Sequence, residues 1–409
     1  MQLEDMLVDR TWVPREVDEA ARGAVEALAP RIADVARSEG DEGQRLVRFV
    51  RLLGEAGLLR LTVPATHGGR FAQRSVTAMC LARRALAWQD PLADFAFALQ
   101  GLAAAPLVAF GGPRFADHVA RLVRGEAVGA YALTEARAGT DVTGIETLAR
   151  REGEGWVLDG HKRYVSNAGL ADFYVVFAVT DPAAPPRRRL SAFVVPAESP
   201  GLRVQRLEVL SDHPVGALRL REVRLPSEAL LGEEGRGLTI ALATIQGKRA
   251  TVGAAAIGMA ERALHETVRH VRRRRQFGAP LAELQLVQAH LGTMLTELQA
   301  AWLLVLRAAV LQDAGADRAT VTAAGSMAKL QATEAAFRVV DQAVQLHGGQ
   351  GLLEGSLVAR LYRRIRPLRI YEGTNDVQRL LVARELLKGV GADEPADEPA
   401  PATAASRSG

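Results

Sequence analysis

The chain has 409 residues, of which 48% are hydrophobic and 24% are charged, and its formal net charge is +4. This chain is longer than a single hydrophobic core usually accommodates, so we expect a soluble globular protein of two or three domains. Cys80 is the only cysteine, which excludes a disulfide framework within the chain.

The start of the chain and its apolar runs favour a cytoplasmic protein. Residues 1–5 have neither a basic region nor an apolar core, so we expect no secretory signal, and the early acidic residues disfavour a transit peptide. Arg, Glu or Gln interrupts every long apolar run, so we expect no membrane span.

The formal charge is unevenly distributed along the chain. Residues 391–409 carry −3, which leaves +7 on the remaining residues, the difference between +4 and −3. A field of this sign suits a polyanionic ligand, either a nucleotide-bearing thioester or a nucleic acid.

The N-terminal part has a helical period. Apolar positions recur three and four residues apart in residues 17–35 and 46–61, and a Gly- and Pro-containing loop follows at residues 62–69. We therefore predict an N-terminal α-helical domain over residues 1–125.

The middle of the chain changes to short strands, and the helical period then returns. Residues 156–158, 174–179, 192–195 and 217–225 are β-branched or alternating, and Leu-Arg-Leu-Arg at 218–221 predicts a strand with one wet face. We predict a central β domain over residues 126–235 and a C-terminal helical domain over 236–390. The Pro-, Ala- and acid-rich residues 391–409 predict a disordered tail.

Near the C-terminus, an apolar and aromatic pair precedes one carboxylate in Ile370-Tyr371-Glu372-Gly373. The glycine permits a left-handed turn, and Thr374 to Asp376 can cap a helix that the pattern of residues 377–387 predicts. A carboxylate beside apolar groups is desolvated, which raises its pKa toward values useful for a general base. A solvated acid in a helix-capping turn is the alternative.

Three further segments accompany this motif. Residues 131–141 read Tyr-Ala-Leu-Thr-Glu-Ala-Arg-Ala-Gly-Thr-Asp, and residues 160–169 read Gly-His-Lys-Arg-Tyr-Val-Ser-Asn-Ala-Gly. The third combines Arg-Arg-Gln-Phe-Gly at 274–278 with Gln-Leu-His-Gly-Gly-Gln-Gly at 345–351. In this order and spacing, from near residue 45 to residue 388, the chain resembles the FAD-dependent acyl-CoA dehydrogenase family.

The resemblance implies an α+β fold that is mostly α, with an N-terminal helical domain, a central β-barrel-like domain and a C-terminal four-helix bundle. It also implies α,β-dehydrogenation of an acyl-CoA thioester in fatty acid metabolism. Glu372 would remove the α-proton while the β-hydride passes to flavin N5, and an electron-transfer flavoprotein would receive the electrons. The backbone N–H of Glu372 would polarise the thioester carbonyl. Substrate contacts would come from Arg249, Tyr371 and Gly373.

The resemblance also assigns residues to FAD. Thr134 and Ser166 would donate hydrogen bonds to the flavin, and Tyr164 would shield one face of its ring. Arg274 would bind the pyrophosphate of a neighbouring subunit's FAD and Thr374 that of its own, which implies a homodimer or homotetramer. The full set of implied FAD-binding residues is Tyr131, Leu133, Thr134, Gly139, Thr140, Tyr164, Ser166, Arg274, Phe277, Gln285, Gln345, Gly348, Gly349, Thr374 and Asp376.

Alternative functions remain open at the level of sequence. Carrier-protein-bound acyl groups share the phosphopantetheine arm of CoA, and an acyl-CoA oxidase would use oxygen directly. A noncatalytic, FAD-containing, DNA-binding relative suits the basic charge, but the presence of Glu372 disfavours nucleic acid as the partner. Some family members place the base one residue before the arginine corresponding to Arg249, where this chain has Lys248, so Glu372 is the sole candidate base. The histidines have no zinc-type spacing, and we expect no metal.

Overall fold

A computed structural model describes residues 13–211 and 213–389 of the chain. The predicted tail at residues 391–409 and the first twelve residues lie outside this part. The N-terminal region is helical, as its period predicts. Its helices are α1 (Arg15–Asp18), α2 (Ala24–Arg37), α3 (Glu42–Glu55), α4 (Val76–Gln89), α5 (Pro91–Phe110) and α6 (Ala116–Arg124), with a π-helical turn at Glu19–Gly23 and 3₁₀ turns at Leu58–Thr62, Ala65–His67 and Pro113–Phe115.

Local sequence signals set where these helices begin. Asp41 and Gln44 form a reciprocal capping box at the start of α3. Ser75 accepts a hydrogen bond from Ala78 N at the start of α4, and Asp90 caps α5, whose first residue is a proline. The breaks between helices therefore follow from the sequence.

The central region forms one mixed sheet of eight strands. Its pairings follow the path β6-β7-β3-β2-β4-β5-β8, and β1 pairs in parallel with β4. In β7, Leu218 and Leu220 are buried while Arg219 and Arg221 are exposed, which confirms the predicted wet face. The strands are β1 (Gly129–Ala132), β2 (Leu148–Glu152), β3 (Gly155–Ser166), β4 (Phe173–Val179), β5 (Leu190–Pro196), β6 (Leu202–Leu207), β7 (Val215–Leu225) and β8 (Leu230–Leu231), with 3₁₀ turns at Val142–Gly144 and Ser227–Ala229.

Helices return after the sheet, interrupted by a short hairpin. The helical, β and helical succession confirms the predicted fold class. The helices are α7 (Gly237–Gln246), α8 (Arg249–Arg273), α9 (Gln285–Asp313), α10 (Arg318–His347), α11 (Leu357–Ile365) and α12 (Asn375–Gly389). The hairpin is β9 (Arg275–Gln276) and β10 (Ala279–Pro280), and 3₁₀ turns lie at Leu281–Glu283, Gly348–Leu352 and Arg366–Arg369.

Helix α8 joins the two helical regions. Its first half is rich in small residues, and a Cβ atom at Gly258 would lie 2.1 Å from the carbonyl oxygen of Arg84 on α4, so the two backbones touch. The buried pair Arg84–Glu261, with N and O atoms 2.6 Å apart, also links α4 to α8. These contacts tie the N-terminal helices to the C-terminal helices.

Two helices bear on the expectation that no apolar run is long enough to span a membrane. Helices α5 and α9 are long and apolar enough to cross a membrane by length and composition. In α5, 61% of the apolar window is buried inside the protein, and Asp94 on this helix forms a buried ion pair with Arg83. Core helices of globular proteins have the same properties, so these helices are weak evidence for a membrane.

Glu261→Gln should lower the free energy of unfolding by about 3 kcal/mol, because it leaves the buried Arg84 guanidinium without its carboxylate. Thermal and urea denaturation of the FAD-bound protein measure the change. Asp34→Asn is the control, since Asp34 and Arg37 form a pair with side chains 73% and 72% exposed, and it should cost less than about 0.5 kcal/mol. Equal losses in the two variants would contradict a stabilising role for the buried pair.

Candidate active site

Glu372 lies in the turn between the 3₁₀ turn Arg366–Arg369 and helix α12. Its backbone φ is +53°, and that of Gly373 is +90°. The sequence predicted a left-handed glycine, but the left-handed conformation extends to the glutamate itself. For a residue with a side chain this conformation costs about 1–3 kcal/mol and persists only where the surroundings hold it.

Side chains of α10 hold this turn in place. Lys329 Nζ donates to the carbonyl oxygen of Gly373 at 3.0 Å and to Asn375 Oδ1 at 2.8 Å. Asn375 in turn donates to Glu334 at 2.8 Å, and Glu334 pairs with Arg369 at 2.8 Å. Both sides of the Glu372 turn are thus fixed to one helix.

Sequence reasoning missed this network, although the sequence contains a sign of it, a lysine within an apolar helical segment. Lys329 lies between Ala328 and Leu330 in the middle of a long helix and is fully buried. Burial lowers its pKa to about 8, and Glu372 is the largest influence that raises it. A buried lysine in an apolar helix needs polar partners, and here they are the backbone and side chain of the turn.

The carboxylate of Glu372 is held without a partner. Its Oε2 is closed off from solvent and has no hydrogen-bond partner within the described part of the chain. Burial raises the pKa of this carboxyl group, while Arg83, Lys248 and Lys329 lower it and Asp94 raises it. The net effect raises the pKa of the Glu372 carboxyl group. Glu372 thus combines a raised pKa with an oxygen that is free to accept a proton, as a general base requires.

The other substrate and cofactor candidates on this turn have different environments. The ring of Tyr371 lies edge-on to that of Phe95, with centroids 6.1 Å apart. Thr374 Oγ1 accepts from Val377 N at 3.3 Å and so caps α12, and Asp376 is exposed and pairs with Arg379 at 2.8 Å.

Arg249 faces a different feature, a cavity of about 650 Å³ rich in cations. Its Nη1 donates to Ser326 Oγ at 3.2 Å, and its Nε is buried without a partner among the described residues. The sequence had not singled out the other cations of this cavity. They are Arg187, Arg318, Arg384 and Lys388.

A buried ion pair orders the loop that follows β1. Lys162 Nζ donates to the carbonyl oxygen of Leu133 at 3.2 Å and to Glu135 Oε1 at 2.7 Å. Arg163 N donates to the carbonyl oxygen of Thr134 at 2.8 Å, so β3 fixes this loop along its length. Sequence reasoning had not assigned this role to Lys162 and Glu135.

Tyr131 lies on β1 beneath this loop, whereas Gly139 and Thr140 are exposed farther along it. The Tyr131 hydroxyl donates to the carbonyl oxygen of Ala241 on α7 at 3.5 Å. Burial raises the pKa of the Tyr131 hydroxyl, and the charge of Glu372 raises it further, which places this ring in the surroundings of the candidate base.

Backbone strain coincides with several predicted site residues. Tyr164 has φ of +56° at a bulge in β3, next to Ser166 at the end of this strand, and its side chain is 59% exposed. Phe277 has φ of +51° and is 95% exposed. With Glu372, they are three of the five left-handed residues other than glycine in the described part, the others being Asn167 and Glu222. Strain of this kind concentrates at functional sites.

A second group of predicted cofactor residues lies far from Glu372. The stacked rings of His270 and His347, 4.3 Å apart, join the end of α8 to the end of α10. Because α8 has 25 residues and Arg274 follows its last residue, Arg274 lies about 38 Å from Arg249 along the helix axis. The exposed members of this group are Arg274, Phe277, Gln285, Gln345, Gly348 and Gly349.

Within the described residues, no group of three or more His, Cys, Asp or Glu side chains could hold a metal ion. Cys80 is buried in α4, and burial raises the pKa of its thiol. Thiolate chemistry at Cys80 is therefore disfavoured.

The fold and this site define a flavoenzyme of the acyl-CoA dehydrogenase type. Sequence profiles of that family match its N-terminal domain at residues 15–126, its middle domain at residues 130–223 and its C-terminal domain at residues 235–387. The chain belongs to the acyl-CoA dehydrogenase family, whose members are FAD-dependent oxidoreductases acting on CH–CH groups.

Individual relatives agree with this assignment. Cyclohexane-1-carbonyl-CoA dehydrogenase of Geobacter metallireducens is 34% identical over 367 residues, which cover 89% of this chain and 95% of that protein. Butyryl-CoA dehydrogenase of Megasphaera elsdenii has a TM-score of 0.82 and 31% identity, covering 93% of this chain and 99% of that one. Glutaryl-CoA dehydrogenase of Mycobacterium smegmatis in complex with FADH2 has a TM-score of 0.81 and 26% identity, covering 95% and 97%.

The residues of this chain fit FAD. Tyr164 presents a large ring in a strained and exposed position, two residues before Ser166 at the end of β3. A Cβ atom at Gly139, Gly348 or Gly349 would have no neighbour within 4 Å, so these backbones are open to close approach by a ligand.

Lys329→Met should lower the rate of flavin reduction at saturating substrate at least 10-fold per bound FAD, because the Glu372 turn loses its anchor to α10. Anaerobic stopped-flow absorbance measures the rate, and flavin content is measured in parallel. Arg338→Met, at an exposed position on the same helix, should leave the rate unchanged. A wild-type rate per bound FAD in Lys329→Met would contradict the positioning role.

Proposed function

We propose that this enzyme dehydrogenates an acyl-CoA thioester at its α and β carbons, with Glu372 as the base. The observation that carries the proposal is the Glu372 carboxylate, which is held in a strained turn and whose Oε2 is closed off from solvent without a hydrogen-bond partner among the described residues. Bound FAD supplies the acceptor for the hydride that leaves the β-carbon.

Glu372 can act on the substrate through two groups, its carboxylate and its backbone N–H. Its carboxylate takes the α-proton, for which a raised pKa provides driving force. Its backbone N–H donates no hydrogen bond within residues 13–211 and 213–389. This donor is therefore free to stabilise the negative charge that develops on the thioester oxygen, an effect worth about 3 kcal/mol per donor elsewhere.

The cation-rich cavity beside Arg249 supports CoA as the carrier of the acyl group. Its lining of Arg187, Arg249, Arg318, Arg384 and Lys388 suits the phosphate groups of a nucleotide. Acyl-carrier thioesters share the phosphopantetheine arm but lack the adenosine phosphates. The number of cations favours CoA over the carrier-protein alternative.

The arrangement of the FAD candidates supports a shared cofactor site. We assign Leu133, Thr134, Tyr164 and Ser166 to the FAD of the same subunit. The group around Arg274 lies too far along α8 to act beside Glu372, so we assign it to the FAD of a second copy. Phe277, strained and almost fully exposed, is suited to contact outside its own chain. A homodimer or homotetramer follows from this assignment.

The electron acceptor we propose is an electron-transfer flavoprotein, as the family resemblance implies. Direct transfer to oxygen is the alternative, and oxygen consumption during turnover distinguishes the two acceptors.

A DNA-binding role is disfavoured because it gives no reason to place the Glu372 carboxylate in a strained turn. Retention on DNA that weakens steeply with salt would support that role instead.

Glu372→Gln should retain the fold and FAD but lose reduction of the flavin by acyl-CoA at least 10³-fold, because the amide cannot accept the α-proton. Absorbance of the oxidised flavin in anaerobic mixtures measures the loss. Glu354→Gln, which alters an exposed carboxylate outside the turn, is the matched control and should keep the wild-type rate. Unchanged reduction in Glu372→Gln would remove this residue from the mechanism.

The rate of α-proton abstraction should fall as the pH falls through the pKa of Glu372, because only the ionised carboxylate is a base. Since burial raises this pKa from the ordinary 4.5, the half-maximal rate should occur at a higher pH than 4.5. Lys248→Met removes a cation that lowers this pKa, so its profile should shift further upward. A pH dependence that disappears in Lys248→Met would assign the titration to Lys248.

A further inference from the structure

Lys248 is a buried cation that the proposed chemistry does not use. It lies between α7 and α8 and is only 4% exposed. Within the described part of the chain its Nζ makes no hydrogen bond and no ion pair, although its backbone N donates to the carbonyl oxygen of Ile245 at 3.0 Å. A buried ammonium without a partner is destabilising, so its presence calls for a compensating ligand.

The ammonium of Lys248 lies against helix α5. Gly101 lies inside α5, and a Cβ atom there would be 3.1 Å from Lys248 Nζ and 3.2 Å from Thr62 Cγ2. Glycine within a helix costs about 1 kcal/mol relative to alanine. The sequence accepts this cost at the position where a methyl group would press on Nζ.

The electrostatic surroundings of Lys248 have an excess of positive charge. Burial lowers the pKa of the Lys248 ammonium, Arg74 and Arg83 lower it further, and Glu372 raises it. Arg83 is already neutralised by Asp94, through two hydrogen bonds of 2.8 Å. Glu372 is the anion that raises the pKa of Lys248, whereas Asp313 raises that of Arg74. No ion pair joins Lys248 to Glu372 among the described residues.

Arg74 lines a cavity of about 430 Å³ with Thr62, whose side chain lies beside the same Gly101 position as Lys248 Nζ. The carboxylate of Asp313, also in this lining, already accepts hydrogen bonds from Ser75 Oγ, Val76 N and Thr77 N at the start of α4. Asp313 is therefore the anion that acts on Arg74, and it leaves Lys248 to other partners.

We propose that the enzyme takes acyl thioesters whose acyl group ends in a carboxylate, and that Lys248 is the residue that selects this terminal group. The inference rests on the proposed function, because Glu372 fixes where the α-carbon lies. A chain extending past Glu372 toward α5 then meets the Lys248 ammonium. A hydrocarbon terminus would bury this cation without a partner, whereas a carboxylate terminus would form a charge-assisted hydrogen bond with it.

The other role for Lys248 is to neutralise Glu372 alone. In that case its replacement would alter the rate for all acyl-CoA substrates by the same factor. Selection of a terminal carboxylate instead predicts that the factor depends on the terminal group. The two roles differ in the ratio of rates between matched substrates, which is independent of the overall activity.

The test compares FAD-bound wild-type protein and Lys248→Met with two matched substrate pairs, pentanoyl-CoA with glutaryl-CoA and hexanoyl-CoA with adipyl-CoA. Anaerobic flavin reduction gives kcat/KM for each. The wild-type protein should prefer the carboxylated member of a pair at least 10-fold, and Lys248→Met should reverse this preference. Lys388→Met, which alters a lysine of the CoA-side cavity, should leave the ratio unchanged.

A binding measurement separates this proposal from the proposed function. In Glu372→Gln, perturbation of the flavin spectrum reports binding without turnover, and adding Lys248→Met should weaken glutaryl-CoA binding at least 10-fold while pentanoyl-CoA binding does not weaken. Equal preference for both members of each pair, or a ratio that Lys248→Met leaves unchanged, would overturn the selection role. If no thioester reduces the wild-type flavin although glutaryl-CoA binds through Lys248, the proposed function fails and the binding site stands.

Discussion

The hydrogen bonds from Lys329 to Gly373 and Asn375 are the interactions on which the site depends. They hold the turn that carries Glu372 against α10, and this anchoring offsets the cost of its left-handed backbone. Because the network is satisfied by the backbone oxygen and by Asn375, Glu372 Oε2 is left without a hydrogen-bond partner among the described residues. The same contacts that order the turn therefore do not use its carboxylate, which is why we propose Glu372 as the base.

Burial and the charges around Glu372 shift the pKa of its carboxyl group in opposite directions. Desolvation raises the pKa of the carboxyl group, whereas Arg83, Lys248 and Lys329 lower it. Arg83 is paired with Asp94, and Lys329 with the turn, so each has a structural use. Lys248 has none among the described residues. This difference is why the inference about substrate selection rests on Lys248, while we assign the cation-rich cavity beside Arg249 to the phosphates of CoA.

Sequence alone predicted the fold more completely than the site. Helical and strand periods gave the succession of elements, and the match to the family confirms the fold class. The motif around Glu372 predicted a turn followed by a helix, because glycine and capping residues act locally. The domain limits and the roles of individual site residues stay predictions.

The features that sequence reasoning missed depend on distant contacts. Lys329 and Gly373 are far apart in the chain, and Lys248 Nζ lies beside Gly101 only because α5 packs near Lys248. Residue type shows that a lysine is present, but only packing shows whether it is solvated, paired or alone.

Difference infrared spectroscopy of the FAD-bound protein against Glu372→Gln, recorded over a range of pH, measures the protonation of the Glu372 carboxyl group most directly. A protonated carboxyl band of Glu372 that persists above the ordinary pKa of 4.5 is the expected result. A band that titrates at or below that value would contradict a desolvated, unpartnered base.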